Sequence, residues 1–129
     1  MLALPIDGLH LDLVRGGAQL EAALAARPEL WLSLGVVGGR NVWRTDLRAT
    51  LARLRPLAEA RGTGRLMLAP SCSLLHVPVD LRQETALDPE LAGWLAFATQ
   101  KLEEIALLVR GLDEGEGAIA AQLAACDKA

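Results

Sequence analysis

Apolar and polar positions along this chain follow one repeated order: a short, nearly unbroken apolar run, a turn containing Gly or Pro, then a stretch with helical spacing. Apolar runs bounded by turn signals read as strands, and strands alternating with helical stretches read as βα units around a parallel sheet. The predicted strands are Gly8 to Val14, Leu30 to Val37 and Arg65 to Ala69. Leu, Val, Trp and Met dominate the last two, as suits strands covered on both faces.

Between the first two strands, Ala18 to Ala26 is rich in Ala and Leu and stops before Pro28, a residue that cannot continue a helix. The second predicted helix, Asp46 to Arg61, places Leu47, Leu51, Leu54 and Ala58 on one stripe. Arg44, Arg48 and Arg55 run along its flank, Arg48 and Arg55 as a solvated face, and Gly62 and Gly64 end it. A third helix begins at Asp88, which suits an N-cap, has Pro89 at its first position, and keeps its periodicity to about Gly111. Leu91, Leu95, Ala98, Leu102, Ile105 and Val109 form its stripe, while Trp94, Phe97 and Leu108 widen the apolar arc. So wide an arc asks for more than one packing partner, and these three residues form an exposed patch wherever the chain's own core leaves them uncovered.

Beyond Leu112 the run DEGEG reads as a polar hinge, and Ala118 to Cys126 as a weak terminal helix. The domain reading is therefore 1–112, with 113–129 as hinge and terminal helix. The connection from Pro70 to Leu87 lacks clear periodicity, and long loops in compact domains tend to carry function or interfaces.

The fold class is α/β, built from three consecutive parallel βα units. A (β/α)8 barrel takes about 250 residues, whereas this chain has 129. Three units read as a partial barrel, physically incomplete, because both edge strands present unpaired backbone groups.

Composition narrows the function classes. Hydrophobic residues at 52% and charged residues at 22% exclude a disordered tail. Thirteen basic against sixteen acidic residues leave a charge of −3, so no basic field gathers phosphate backbones. Aromatic residues at 3% also remove the stacking platforms of single-strand binders, and no nucleic-acid partner is expected. Cys72 and Cys126 stand far apart without a CxxC pair, which leaves neither a disulfide framework nor a metal knuckle and points to the cytoplasm. Met1 to Ile6 is apolar but lacks a basic leader and is broken at Pro5 and Gly8, and no apolar run has the roughly eighteen residues of a membrane span. Neither an export signal nor a membrane partner is expected.

Two stretches are chemically particular: LSLGVVGGRNVWRTDL from Leu32 to Leu47, and LAPSCSLLHVPVDL from Leu68 to Leu81. With GLHLDLV from Gly8 to Val14 and ELAGWLAFATQKLEEIALL from Glu90 to Leu108, in that order and spacing, they resemble cobalamin-independent methionine synthase over about residues 5 to 112. The resemblance implies the closing third of that family's N-terminal barrel. In the family two barrels face each other, and a methyl group passes from a methyltetrahydrofolate polyglutamate to the thiolate of homocysteine held on zinc. The zinc belongs to the C-terminal barrel, and the residues that hold the polyglutamate lie upstream of the matched stretch. The resemblance thus implies a scaffold segment with no catalytic residue and no cofactor of its own. Its partners would be the remainder of the barrel or its own copies, with folate and homocysteine as substrates of the parent enzyme.

Individual residues offer further candidates. In the family's catalytic barrel a zinc-ligating cysteine follows the corresponding last strand, which makes Cys72, with His76, a candidate metal pair. Zinc needs three or four ligands, so the structural reading of Cys72 as a buried thiol carries more weight. Gly35, Gly38 and Gly39 followed by Arg40 could cradle an anion ahead of a helix. Their spacing matches neither GxGxxG nor a Walker motif, and the plainer reading is a turn needing positive φ, with Arg40 and Arg44 paired to acids or carbonyls. His10 and Asp12 fall on one side of a strand and could form a general base, or, more simply, a mutually satisfied hydrogen-bond pair. Three functional readings result. The first is a methionine synthase scaffold segment inactive alone. The second is a free-standing α/β anion-binding module that oligomerises through its sheet edges, and the third is a small thiol or zinc enzyme using Cys72.

Overall fold

The computed structural model describes residues 3–129. Met1 and Leu2, the start of the segment in which no export signal was read, lie outside the described residues. The elements run β1 (Gly8–Asp12), α1 (Gln19–Ala26), β2 (Trp31–Val37), α2 (Leu47–Arg61), β3 (Leu66–Pro70), α3 (Pro89–Trp94), α4 (Ala98–Glu114) and α5 (Ala120–Asp127). The three strands form one sheet in the order β1-β2-β3, every pairing parallel, as the alternation of apolar runs and helical stretches predicts. The register sets His10 against Ser33 and Ser33 against Met67.

Strand periodicity divides the sheet into two faces. On one, Leu11, Leu32 and Leu34 join Leu47, Leu51 and Leu54 of α2, Leu108 of α4, and Ile119 and Leu123 near the C-terminus in a single core. The other face carries His10, Trp31, Ser33 and Met67, and the last has 49% of its surface exposed. No helix among the described residues is long and apolar enough to cross a membrane.

Helix α2 starts where Asp46 accepts the Ala49 amide at 2.9 Å and stops at Gly62, whose φ of +78° suits a residue without Cβ. Asp88 caps α3 through the Glu90 and Leu91 amides, with Pro89 at the first position. The single helix expected from Asp88 to Gly111 is instead broken. Leu95 pairs antiparallel with Trp43, the Ala96 amide donates to the Val42 carbonyl at 2.8 Å, and the Arg44 amide to the Trp94 carbonyl at 2.9 Å. Backbone groups of the loop after β2 thus claim the turn that would have joined α3 to α4.

The break also changes which face of α4 is buried. The covered stripe is Phe97, Lys101, Glu104, Leu108 and Gly111. Leu102 and Val109, placed on the core stripe by their spacing, are 56% and 41% exposed. Of the widened arc, Phe97 and Leu108 are covered and Trp94 remains exposed.

The C-terminal stretch also departs from expectation. Helix α4 continues to Glu114, so a boundary after Leu112 falls inside it. Ile119 and Leu123 are buried against α2 and α4. Arg48 and Arg55 do not form a free solvated face. Arg48 pairs with Asp127 at 2.8 Å and Arg55 with Glu116 at 3.1 Å, fastening the C-terminal segment across α2.

Candidate functional site

The sequence candidates converge where β2 and β3 end. Ser71, directly after β3, donates its amide to the Val37 carbonyl at 2.7 Å, and its buried hydroxyl accepts the Gly39 amide at 3.0 Å. A Cβ on Gly39 would lie 2.7 Å from the Cys72 carbonyl oxygen, and one on Gly35 would lie 2.8 Å from Ser71 Cα. These glycines are required by close approach of two backbones. The expectation of positive φ here is overturned, since Gly62 and Gly115 alone have it among the described residues.

His10 and Asp12 share a strand face but do not satisfy each other. The Nε2 of His10 meets the Ser71 carbonyl at 3.3 Å, which can only accept, so Nε2 carries the proton and Nδ1 accepts from the Ser33 hydroxyl at 2.9 Å. Asp12 turns back on its own chain, its Oδ1 accepting the Val14 and Arg15 amides at 2.9 and 3.1 Å. That geometry closes the turn after β1. It leaves no carboxylate hydrogen-bonded to the imidazole, so the general-base reading of the pair lacks its second member.

Arg40, Cys72, Ser73 and His76 line one depression of about 320 Å³. Two candidates that the sequence treated separately, the Gly-turn arginine and the Cys–His pair, thereby share a site. Arg40 is exposed, and among the described residues its guanidinium makes neither a hydrogen bond nor an ion pair. Arg44 is committed, donating to the Gly93 carbonyl at 3.1 Å. Cys72 Sγ sits 3.7 Å from the Ser73 carbonyl. Among the described residues no three His, Cys, Asp or Glu side chains gather as metal ligands must.

A buried polar cluster went unread in the sequence. Lys101 is fully covered and donates from Nζ to the Trp43 carbonyl at 3.1 Å. Glu104, 6% exposed, accepts the Thr45 amide on Oε1 at 3.0 Å, while its Oε2 has no partner. Burial raises the Glu104 carboxyl above its ordinary value, against the lowering effect of the Thr45 hydrogen bonds and of Lys101. Burial likewise lowers Lys101, with the Glu104 charge opposing it. The available signal was spacing, because Phe97, Lys101, Glu104, Leu108 and Gly111 recur every three or four positions like a core stripe.

Comparison with known proteins fixes the family. Residues 1–62 match the profile described as "Cobalamin-independent synthase, N-terminal domain". A 5-methyltetrahydropteroyltriglutamate--homocysteine methyltransferase of Acidiphilium cryptum is 67% identical over 130 residues, taking in 99% of this chain and 17% of that protein. The chain belongs to the cobalamin-independent methionine synthase family. Proteins of the same name from Caulobacter vibrioides and Rhodopseudomonas palustris are 60% and 56% identical, over 98% and 99% of this chain. The chain spans only 16% of the length of each.

Proposed function

We propose that this chain is a scaffold segment of a methionine synthase N-terminal barrel, a partial (β/α)8 barrel. The parent activity is methyl transfer from a 5-methyltetrahydrofolate polyglutamate to homocysteine in methionine biosynthesis, in the cytoplasm. The supporting observation is the near-complete match of the chain to one segment of such methyltransferases at up to 67% identity. The fold agrees with it, since three parallel strands with both edges open form a piece that a longer barrel would complete. The remainder of that barrel is the natural partner, and the segment by itself is inactive.

A chimera tests this reading. The matching segment of the Caulobacter vibrioides protein is replaced by this chain, and methionine formation from methyltetrahydrofolate polyglutamate and homocysteine is assayed in parallel with the isolated chain. The chimera retains activity and the isolated chain has none. A folded but inactive chimera, or methionine made by the chain alone, overturns the proposal. The second result places the methyl-transfer chemistry in this chain itself.

A further inference from the structure

The depression at the ends of β2 and β3 serves no purpose in the scaffold reading. Parallel sheets place ligands at the carboxyl ends of their strands, and this depression lies in the two loops that follow such ends. None of Arg40, Cys72, Ser73 and His76 is acidic, so nothing in the lining competes for the arginine. A guanidinium offers five donors in a fixed fork, and here all are free of protein partners among the described residues. The Ser73 hydroxyl accepts the Leu75 amide at 3.3 Å, which leaves its own proton to donate. The imidazole of His76 adds a donor on the same rim.

The floor is held rigidly. His10 on β1 grips the Ser71 carbonyl, the Ser71 hydroxyl grips the Gly39 amide, and the Cys72 carbonyl sits where a Gly39 side chain would be. Arg40 and Ser73 thus flank backbone held between the strand ends, which fixes where both side chains leave the chain.

We infer that this depression is an oxyanion site, taking the carboxylate or phosphate group of a small metabolite, with Arg40 as the principal ligand and Ser73 and His76 as supporting donors. Its volume of about 320 Å³ is at the small end for metabolite pockets. The inference rests on this chain's residues and does not require the methyltransferase reading.

The test titrates the full chain with glutarate and, separately, inorganic phosphate at constant ionic strength, following the Arg40 side-chain NH and the His76 ring by NMR. The expected result is a saturating shift at both groups in the low-millimolar range with at least one probe. Tighter glutarate binding assigns a planar carboxylate to the site, and tighter phosphate binding assigns a phosphate. Arg40→Gln weakens the tighter probe roughly tenfold or more, because the charge-assisted fork is lost. Lys128→Gln removes the same charge elsewhere and leaves binding unchanged. Linear, non-saturating shifts with both probes, or equal loss in the two variants, overturn the site. Because Arg40 holds no other part of the chain, its replacement leaves the folded spectrum in place to report the answer.

Discussion

The imidazole of His10 bonds the carbonyl of Ser71 at 3.3 Å, so a side chain on the first strand holds the residue that follows the third. Ser71 is the junction of this arrangement, because its hydroxyl also holds the Gly39 amide in a buried position.

Removing that hydroxyl has a definite cost. Ser71→Ala leaves the Gly39 amide buried without an acceptor, a loss of about 1–3 kcal/mol. Gly39→Ala drives a Cβ to 2.7 Å from a backbone oxygen that cannot swing away, and overpacking of this kind also costs about 1–3 kcal/mol. Urea unfolding midpoints report both. A Gly39→Ala protein as stable as the parent would show that the two loops are not in close contact.

Glu104 makes stability depend on pH with a defined sign. Its folded value lies above the ordinary 4.5, so between that pH and the raised value the folded state binds more protons than the unfolded one. Stability from this group is complete below pH 4.5 and falls as pH rises through the window. Glu104→Gln keeps an acceptor for the Thr45 amide and removes the titration. The variant therefore gains stability relative to the parent as pH is raised from about 4 to 8, and unfolding curves across that range that stay parallel for the two proteins would refute the assignment.

The two faces of α4 separate by mutation. Leu108→Ala empties a fully buried position and costs about 2–5 kcal/mol. Leu102→Ala, at a position 56% exposed, changes stability by no more than about 0.5 kcal/mol. Equal losses at the two sites would restore the stripe that periodicity suggests.

Met67 on the edge strand β3 and Val109 on α4 line an open cleft beside unpaired strand backbone. Exposed edges with apolar neighbours seek a partner, so the isolated chain self-associates with rising concentration. Sedimentation velocity shows it, and Met67→Lys with Val109→Glu shifts the distribution toward monomer. A parent chain that stays monomeric at high concentration contradicts the expectation.

How far the sequence was legible follows from the range of the forces involved. The strands, α1 and α2 are set by local runs, caps and breakers such as Asp46 and Gly62, and their parallel order follows from the alternation of units. The break before Ala98 was invisible because its cause is Val42, Trp43 and Arg44, distant in the chain. Lys101 and Glu104 resemble an ordinary solvated pair until the loop after β2 is laid over them. Arg48 and Arg55 gained partners only once the C-terminal segment folded back. At the candidate site Arg40, Cys72 and His76 were each visible singly, and only the pairing of Ser71 with Val37 and Gly39 brings them together.

The interruption between α3 and α4 is a fold-dependent conformation that the local sequence does not encode. Detached from the loop at Val42 to Arg44, the stretch from Pro89 to Glu114 has every local reason to wind as one continuous rod, with Leu91, Leu95, Leu102 and Val109 along its side. The conformation these residues adopt is therefore set by a neighbour that follows a different strand. The break between α3 and α4 is thus itself a contact between the second and third units, made through the backbone of Val42, Trp43 and Arg44.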